Sequence, residues 1–188
     1  MTEVEIKAML TAVQYDNILS SVRDYGYDYV CELEECDVYM NGIDRDFIKT
    51  DEALRVRRTN NKTLAEQSAY ITYKGPKQDD VSMTRKELET LVSDADTAQD
   101  MLEQLGFHAV LQVVKHRFKF TSGAVALYLD HVEGLGFYLE LEQIVEDGQN
   151  YDAALSDLLD CLRELEVAEA SMERRSYLEM LMRKNFEI

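Results

Sequence analysis

The chain has 188 residues, a formal net charge of −17, and 46% hydrophobic and 30% charged residues. These values fit one soluble globular domain spanning 1–188 and exclude fibrous and disordered architectures. The acidic balance excludes a nucleic-acid-binding surface, which would need Lys/Arg patches, but it still allows a small polyanion to bind where the few cations are gathered into one pocket.

Met1 is followed directly by TEVEIKAML, without a basic leader, and no apolar run approaches the ~18 residues a membrane span needs, so the cytoplasm is expected and no membrane partner. Residues 2–9 alternate, with Glu3, Glu5 and Lys7 on one face and Val4, Ile6 and Ala8 on the other. Helical spacing follows from Thr11 to Tyr25, stopped by Gly26. Strand-like segments then run Tyr27–Met40, Ala53–Asn60, Ala69–Lys74 and Ser82–Val92, separated by Asn41-Gly42, Asn60-Asn61 and Gly75-Pro76 turn signals. A second helix is predicted over Asp94–Leu105, then strands over Val110–Phe120, Ala124–Val132 and Phe137–Ile144. A third helix follows over Tyr151–Leu165, and a short one near Tyr177–Met182. Eight strands with hairpin-length connections argue against a helix-linked parallel sheet. Cys31, Cys36 and Cys161 form no C-x-x-C pair, so neither a disulfide framework nor a zinc site is expected.

Charge recurs on one face of nearly every strand: Glu3, Glu5 and Lys7; Arg55 and Arg57; Lys74; Arg85, Glu87 and Glu89; Lys115, Arg117 and Lys119; Asp130; Glu140 and Glu142. Any one of these strands fits an ordinary sheet whose charged face meets water. Taken together they stack like charges without an evident local partner, a repulsion that a ligand could relieve. In a barrel of about eight strands the interior can hold one small ligand, and inward-pointing charged faces would give it a cationic and an acidic wall. Arg and Lys suit phosphate oxygens, and carboxylates suit Mg²⁺ or Mn²⁺, so such a lumen suits a metal-bound triphosphate.

Read in order, these residues resemble the CYTH superfamily of triphosphate tunnel enzymes. The resemblance rests on E-x-E-x-K (Glu3, Glu5, Lys7), L-R-V-R (Leu54–Arg57), Y-K-G-P (Tyr73–Pro76), R-x-E (Arg85, Glu87) and K-x-R (Lys115, Arg117). Asp130, the run Gly134–Glu142 and Arg175-Ser176-Tyr177 are most similar to the class IV adenylate cyclase branch. The resemblance implies an α+β fold, a closed eight-stranded antiparallel barrel with helices outside. It implies metal ligation by Glu3, Glu5, Asp130, Glu140 and Glu142, and a phosphate grip by Lys7, Arg55, Arg57, Lys74, Arg85, Lys115 and Arg117. Catalytic roles fall to Lys7, Arg57, Lys74 and Glu87, the cofactor is Mg²⁺ or Mn²⁺, the partner is a nucleoside or other triphosphate, and a homodimer is a further expectation.

Asp37 resembles an acidic family position and reads equally as a plain edge-strand carboxylate. One departure bears on the reaction: characterised class IV cyclases carry a His-Phe pair ahead of E-x-E-x-K, whereas only Met1 and Thr2 precede Glu3 here. Three functions follow: an adenylate cyclase making cyclic AMP and pyrophosphate, a triphosphate hydrolase, or a non-catalytic phosphate-ligand binder. The paired carboxylates argue against the last.

Overall fold

Eight strands close on themselves in the computed structural model, which describes residues 2–146 and 150–186. In chain order the elements are β1 (Thr2–Leu10), α1 (Ala12–Ser21), β2 (Asp28–Asn41), β3 (Ala53–Asn61), β4 (Glu66–Lys74) and β5 (Arg85–Val92). They continue with α2 (Ala95–Gln104), β6 (His108–Ser122), β7 (Val125–Val132), β8 (Gly136–Val145), α3 (Asp152–Glu164), a 3-10 turn (Glu169–Ser171) and α4 (Tyr177–Phe186). The barrel order is β1-β5-β4-β3-β2-β6-β7-β8, antiparallel throughout, as the resemblance implies. Asp37 is not an edge carboxylate: its strand β2 is paired on both sides, with β3 and β6.

The barrel has a seam. β1 pairs with β8 from Thr2 to Leu10 but meets β5 only at Thr2↔Lys86 and Glu3↔Arg85. Beyond that point the free carbonyls of β1 find other donors: Met83 N–H donates to Glu5 O at 2.9 Å and Glu173 N–H to Lys7 O at 2.8 Å. An isolated bridge, Ala8↔Met172, extends this patch, so the segment before α4 is sewn into the wall.

The two-faced strands resolve as period-2 patterning requires. Val4, Ile6, Leu127, Leu129, Leu139 and Leu141 face outward, yet are at most 1% exposed, because α1 and α3 cover them through Tyr15, Ile18, Leu158 and Leu162. The inward faces carry the charged residues, with Tyr39, Val113, Val132 and Tyr138 at one end, where Tyr177, Leu178, Met180 and Leu181 of α4 pack. The four residues Ser176-Tyr177-Leu178-Glu179 fix the start of α4 by a reciprocal cap. Ser176 N–H donates to Glu179 Oε2 (2.6 Å) and Glu179 N–H to Ser176 Oγ (3.1 Å).

Several boundaries differ from the sequence reading for local reasons. α1 ends at Ser21, not Tyr25, because Val22–Gly26 fold into successive turns that end on the left-handed Gly26 (φ 82°). β5 starts at Arg85, not Ser82, since Ser82 is tied to Asp79 and Thr84 to Ser82 by side-chain bonds. β4 begins three residues early, its polar Glu66–Ser68 pairing with Thr59–Asn61. α4 continues past Met182 to Phe186.

Candidate active site

Strand register, not sequence proximity, assembles the lumen. Glu5 lies opposite Glu142 and Lys7 opposite Glu140 across β1/β8; Arg117 faces Asp130 across β6/β7; Lys74 faces Glu87 across β4/β5. One cavity is lined by Glu3, Glu5, Lys7, Arg55, Arg57, Lys74, Arg85, Glu87, Lys115, Arg117, Glu140 and Glu142. Asp130, also named from sequence, sits behind this lining with 0% exposure. Glu89 and Lys119, which the family motifs leave out, share the inward face. Glu89 lines the cavity and accepts from Thr72 Oγ1 at 2.8 Å, and Lys119 Nζ lies 5.4 Å from the Tyr128 ring centroid.

Most of the cations are paired. Arg57 donates through Nε and Nη2 to Asp37 (2.6 and 2.7 Å) and through Nη1 to Glu35 (3.1 Å); Arg55 Nη1 reaches Asp37 at 3.3 Å. Arg117 is bidentate to Asp130 at 2.6 Å on both arms, hydrogen-bonds Glu140, and lies 4.2 Å over the Tyr128 ring. Lys115 Nζ is 3.2 Å from Glu35 and 3.5 Å from Asp130. Lys74 Nζ sits 2.7 Å from Glu87, 3.1 Å from Glu3 and 4.0 Å from Glu5.

Burial pushes the Glu35 and Asp37 carboxyls up, but Arg57, with Lys115 or Arg55, overrides it. Glu35 falls to about 2 and Asp37 lies well below the usual carboxylate range. Glu140 is likewise held low by Arg117 and Lys115 against its own burial. Both Asp130 oxygens are taken by Arg117, Tyr177 and Lys115, so Asp130 acts here as an anchor for Arg117.

Two cations differ. Arg85 Nη1 donates to the carbonyls of Asp51 (3.3 Å) and Gly75 (3.2 Å), its nearest carboxylate is Asp51 at 3.7 Å, and its Nε has no partner. Lys7, 2% exposed, points its Nζ at Met83 Sδ (3.2 Å) and at the Tyr177 ring, 4.4 Å from the centroid. Among the described residues no carboxylate reaches ion-pair distance of it, and burial lowers its pKa despite Glu140 and Glu5 nearby.

The acidic wall shows the opposite imbalance. Burial raises the Glu3 carboxyl well above its ordinary value; Lys74 offsets part of that, while Glu87 and Glu5 add to it. Glu142 is raised by burial and by Glu5. As the side chains stand, no three His, Cys, Asp or Glu groups among the described residues converge on one point. The donor set nonetheless fits a hard divalent cation: Glu3 and Glu5 are buried and Glu142 half-buried, and a metal would cancel the repulsion among these carboxylates, which have one lysine, Lys74, beside them.

Sequence reasoning missed Glu35, and it read Tyr177 only as part of the Arg175-Ser176-Tyr177 resemblance, not as a residue of the site. Glu35 is hidden because its neighbours Glu32 and Glu34 on the outer face are also acidic, so Glu32-Leu33-Glu34-Glu35-Cys36-Asp37 shows no in/out contrast. The alternation with Asp37, opposite Arg57, is the signal that could have found it.

Each strand of this closed eight-stranded antiparallel barrel turns at least one cation or carboxylate inward, which gives the interior a charged lining of the tunnel type. The match to the CYTH domain model covers residues 1–177, and the chain belongs to the CYTH family, whose members are adenylate cyclase-like enzymes or triphosphatases dependent on a metal. It is 34% identical over 180 residues to a protein of Methanocaldococcus jannaschii named provisionally as an adenylate cyclase, covering 96% of this chain and 98% of that one. It is 34% identical over 86 residues to the adenylate cyclase CyaB of Aeromonas hydrophila, covering 46% of this chain and 45% of that one. The solved structure of the PH1819 protein from Pyrococcus horikoshii superimposes with a TM-score of 0.88 at 40% identity, over 97% of this chain and 99% of that one. No helix among the described residues is long and apolar enough to cross a membrane.

Proposed function

We propose that this protein is a cytoplasmic, metal-dependent enzyme acting on a triphosphate inside its barrel, and that the reaction is adenylate cyclase-like: ATP to cyclic AMP and pyrophosphate. One observation carries the reading: Lys7 is a buried ammonium for which the described residues provide no carboxylate at ion-pair distance, whereas the other cations lining the cavity, Arg85 apart, are paired at close range. An ammonium held this way binds a phosphate oxygen without first breaking an ion pair. Arg85 extends this partly open subsite. Arg55, Arg57, Lys74, Lys115 and Arg117 would grip the remaining oxygens, the arginines by forked hydrogen bonds, while Glu35, Asp37, Glu87 and Asp130 hold them in position.

Glu3, Glu5 and Glu142 would hold Mg²⁺ or Mn²⁺, with Glu140 at the border between the walls. When bound, that ion supplies positive charge to the phosphate oxygens and lowers the pKa of a nearby hydroxyl. The remaining work belongs to the chain. Lys7, Arg57 and Lys74 would neutralise charge as the ribose 3′-hydroxyl gives up its proton to water, its oxygen bonds to the α-phosphorus and the bond to the pyrophosphate oxygen breaks. Glu87 keeps Lys74 and Arg55 in place.

The support for a cyclase is the named relative that matches along nearly the whole chain. Incubation with ATP and Mn²⁺, followed by separation of the products, is expected to give cyclic AMP and pyrophosphate in equal amounts. Orthophosphate without cyclic AMP would assign the same site to triphosphate hydrolysis.

A further inference from the structure

α4 contributes to the interior as well as covering its end. Its first residue, Tyr177, is 6% exposed and donates its hydroxyl to Asp130 Oδ2 at 2.9 Å, on the oxygen that also accepts from Arg117. Its ring faces two cations of the phosphate wall: Lys7 Nζ lies 4.4 Å from the centroid and Lys115 Nζ 5.4 Å. Tyr138 packs edge-on against it, centroids 5.1 Å apart, and fixes the ring plane. The placement is built in. The Ser176/Glu179 cap starts the helix, Glu173 N–H is bonded to Lys7 O, and Arg174 donates to the carbonyls of Asp79 and Ser82, in the turn that leads into Met83, the other neighbour of Lys7.

A carboxylate beside Lys7 would stabilise the buried ammonium but compete with phosphate for it. An aromatic face attracts the ammonium through its quadrupole and leaves its charge uncancelled. We propose that Tyr177 is a positioning residue of the triphosphate site, its ring standing in for a counter-ion beneath Lys7 and its hydroxyl clamping the Asp130–Arg117 pair beside it. The inference rests on the triphosphate reading above and goes beyond it, because it makes the C-terminal helix part of the binding site.

Calorimetric titration of inorganic triphosphate in the presence of Mn²⁺ tests it. Tyr177→Leu is expected to bind about tenfold more weakly than the wild type, and Tyr177→Phe, which keeps the ring, within about threefold. In a Lys7→Gln background the Tyr177→Leu change is expected to cost less than about twofold, because its effect passes through Lys7. Replacing Tyr177 with pentafluorophenylalanine keeps the size of the ring but removes its attraction for cations, so it serves even where the leucine variant does not fold; it is expected to bind about tenfold more weakly than Tyr177→Phe. Equal binding by the phenylalanine and pentafluorophenylalanine proteins, or an undiminished loss in the Lys7→Gln background, would overturn the positioning role while leaving the triphosphate reading intact. No triphosphate binding by the wild type would overturn both.

Discussion

Replacing Glu5 with Ala is expected to lower metal-dependent turnover by about 10²-fold or more while leaving the melting temperature unchanged or slightly raised. The two expectations come from the same geometry. Glu5 is buried at 7% exposure, yet its nearest cation is Lys74 at 4.0 Å, the limit of an ion pair, while Glu3 and Glu142 are both pushed up by its charge. Removing it relieves repulsion within the acidic wall and breaks little that holds the barrel. The proposed metal loses a ligand, and with it the charge set against the phosphate oxygens. Turnover under saturating Mn²⁺ and thermal unfolding of the same samples check both parts. Full activity in Glu5→Ala would remove the acidic wall from the mechanism.

Arg117→Met should behave in the opposite way, with the fold itself suffering. Arg117 binds Asp130 in bidentate fashion, hydrogen-bonds Glu140 and stacks on Tyr128, and Asp130 has no exposure at all. Truncation leaves two carboxylates buried with only Lys115 and Tyr177 still near Asp130. Breaking a buried pair by deleting one partner costs about 3–5 kcal/mol, a large share of the roughly 5–15 kcal/mol that holds a domain of this kind together. Urea unfolding of the variant gives the value directly. A loss below about 1 kcal/mol would mean that water reaches Asp130 and that the interior is wetter than the burial of these groups implies. Glu5→Ala and Arg117→Met therefore separate a ligand wall, where charge is unbalanced and removal is harmless to folding, from a scaffold wall, where charge is balanced and removal is not.

How far this was legible from sequence varies from residue to residue. Strands such as Glu3-Val4-Glu5-Ile6-Lys7 and Lys115–Lys119 alternate charge with apolar residues, and a period of two can be read without knowing the partner strand. The barrel follows once every such strand shows the same two faces. Which charges meet could not be read, because pairing depends on register. Lys74 meets Glu87 across β4/β5 and also Glu3, 71 positions away, across the two-pair seam. Asp130 reads as a metal ligand through the family resemblance alone, and its hydrogen bonds to Arg117 and Tyr177 depend on strand register and on the placement of α4, which no local pattern carries. Tyr177 gave no signal in local patterning, since a tyrosine at the first position of an amphipathic helix reads as core. The helix end at Ser21 and the late start of β5 were missed for a different reason, as turn and side-chain bonding override periodicity there.

The central claim is that the acidic wall and the cationic wall bind their ligands together. Calorimetric titration of the wild-type protein with inorganic triphosphate, with Mn²⁺ present and again after chelation, measures that coupling directly. Tight binding is expected with the metal and a loss of about tenfold or more in affinity without it, since the unscreened carboxylates Glu3, Glu5 and Glu142 then repel the anion. Affinity that is the same with and without the metal, or no binding in either case, would contradict it.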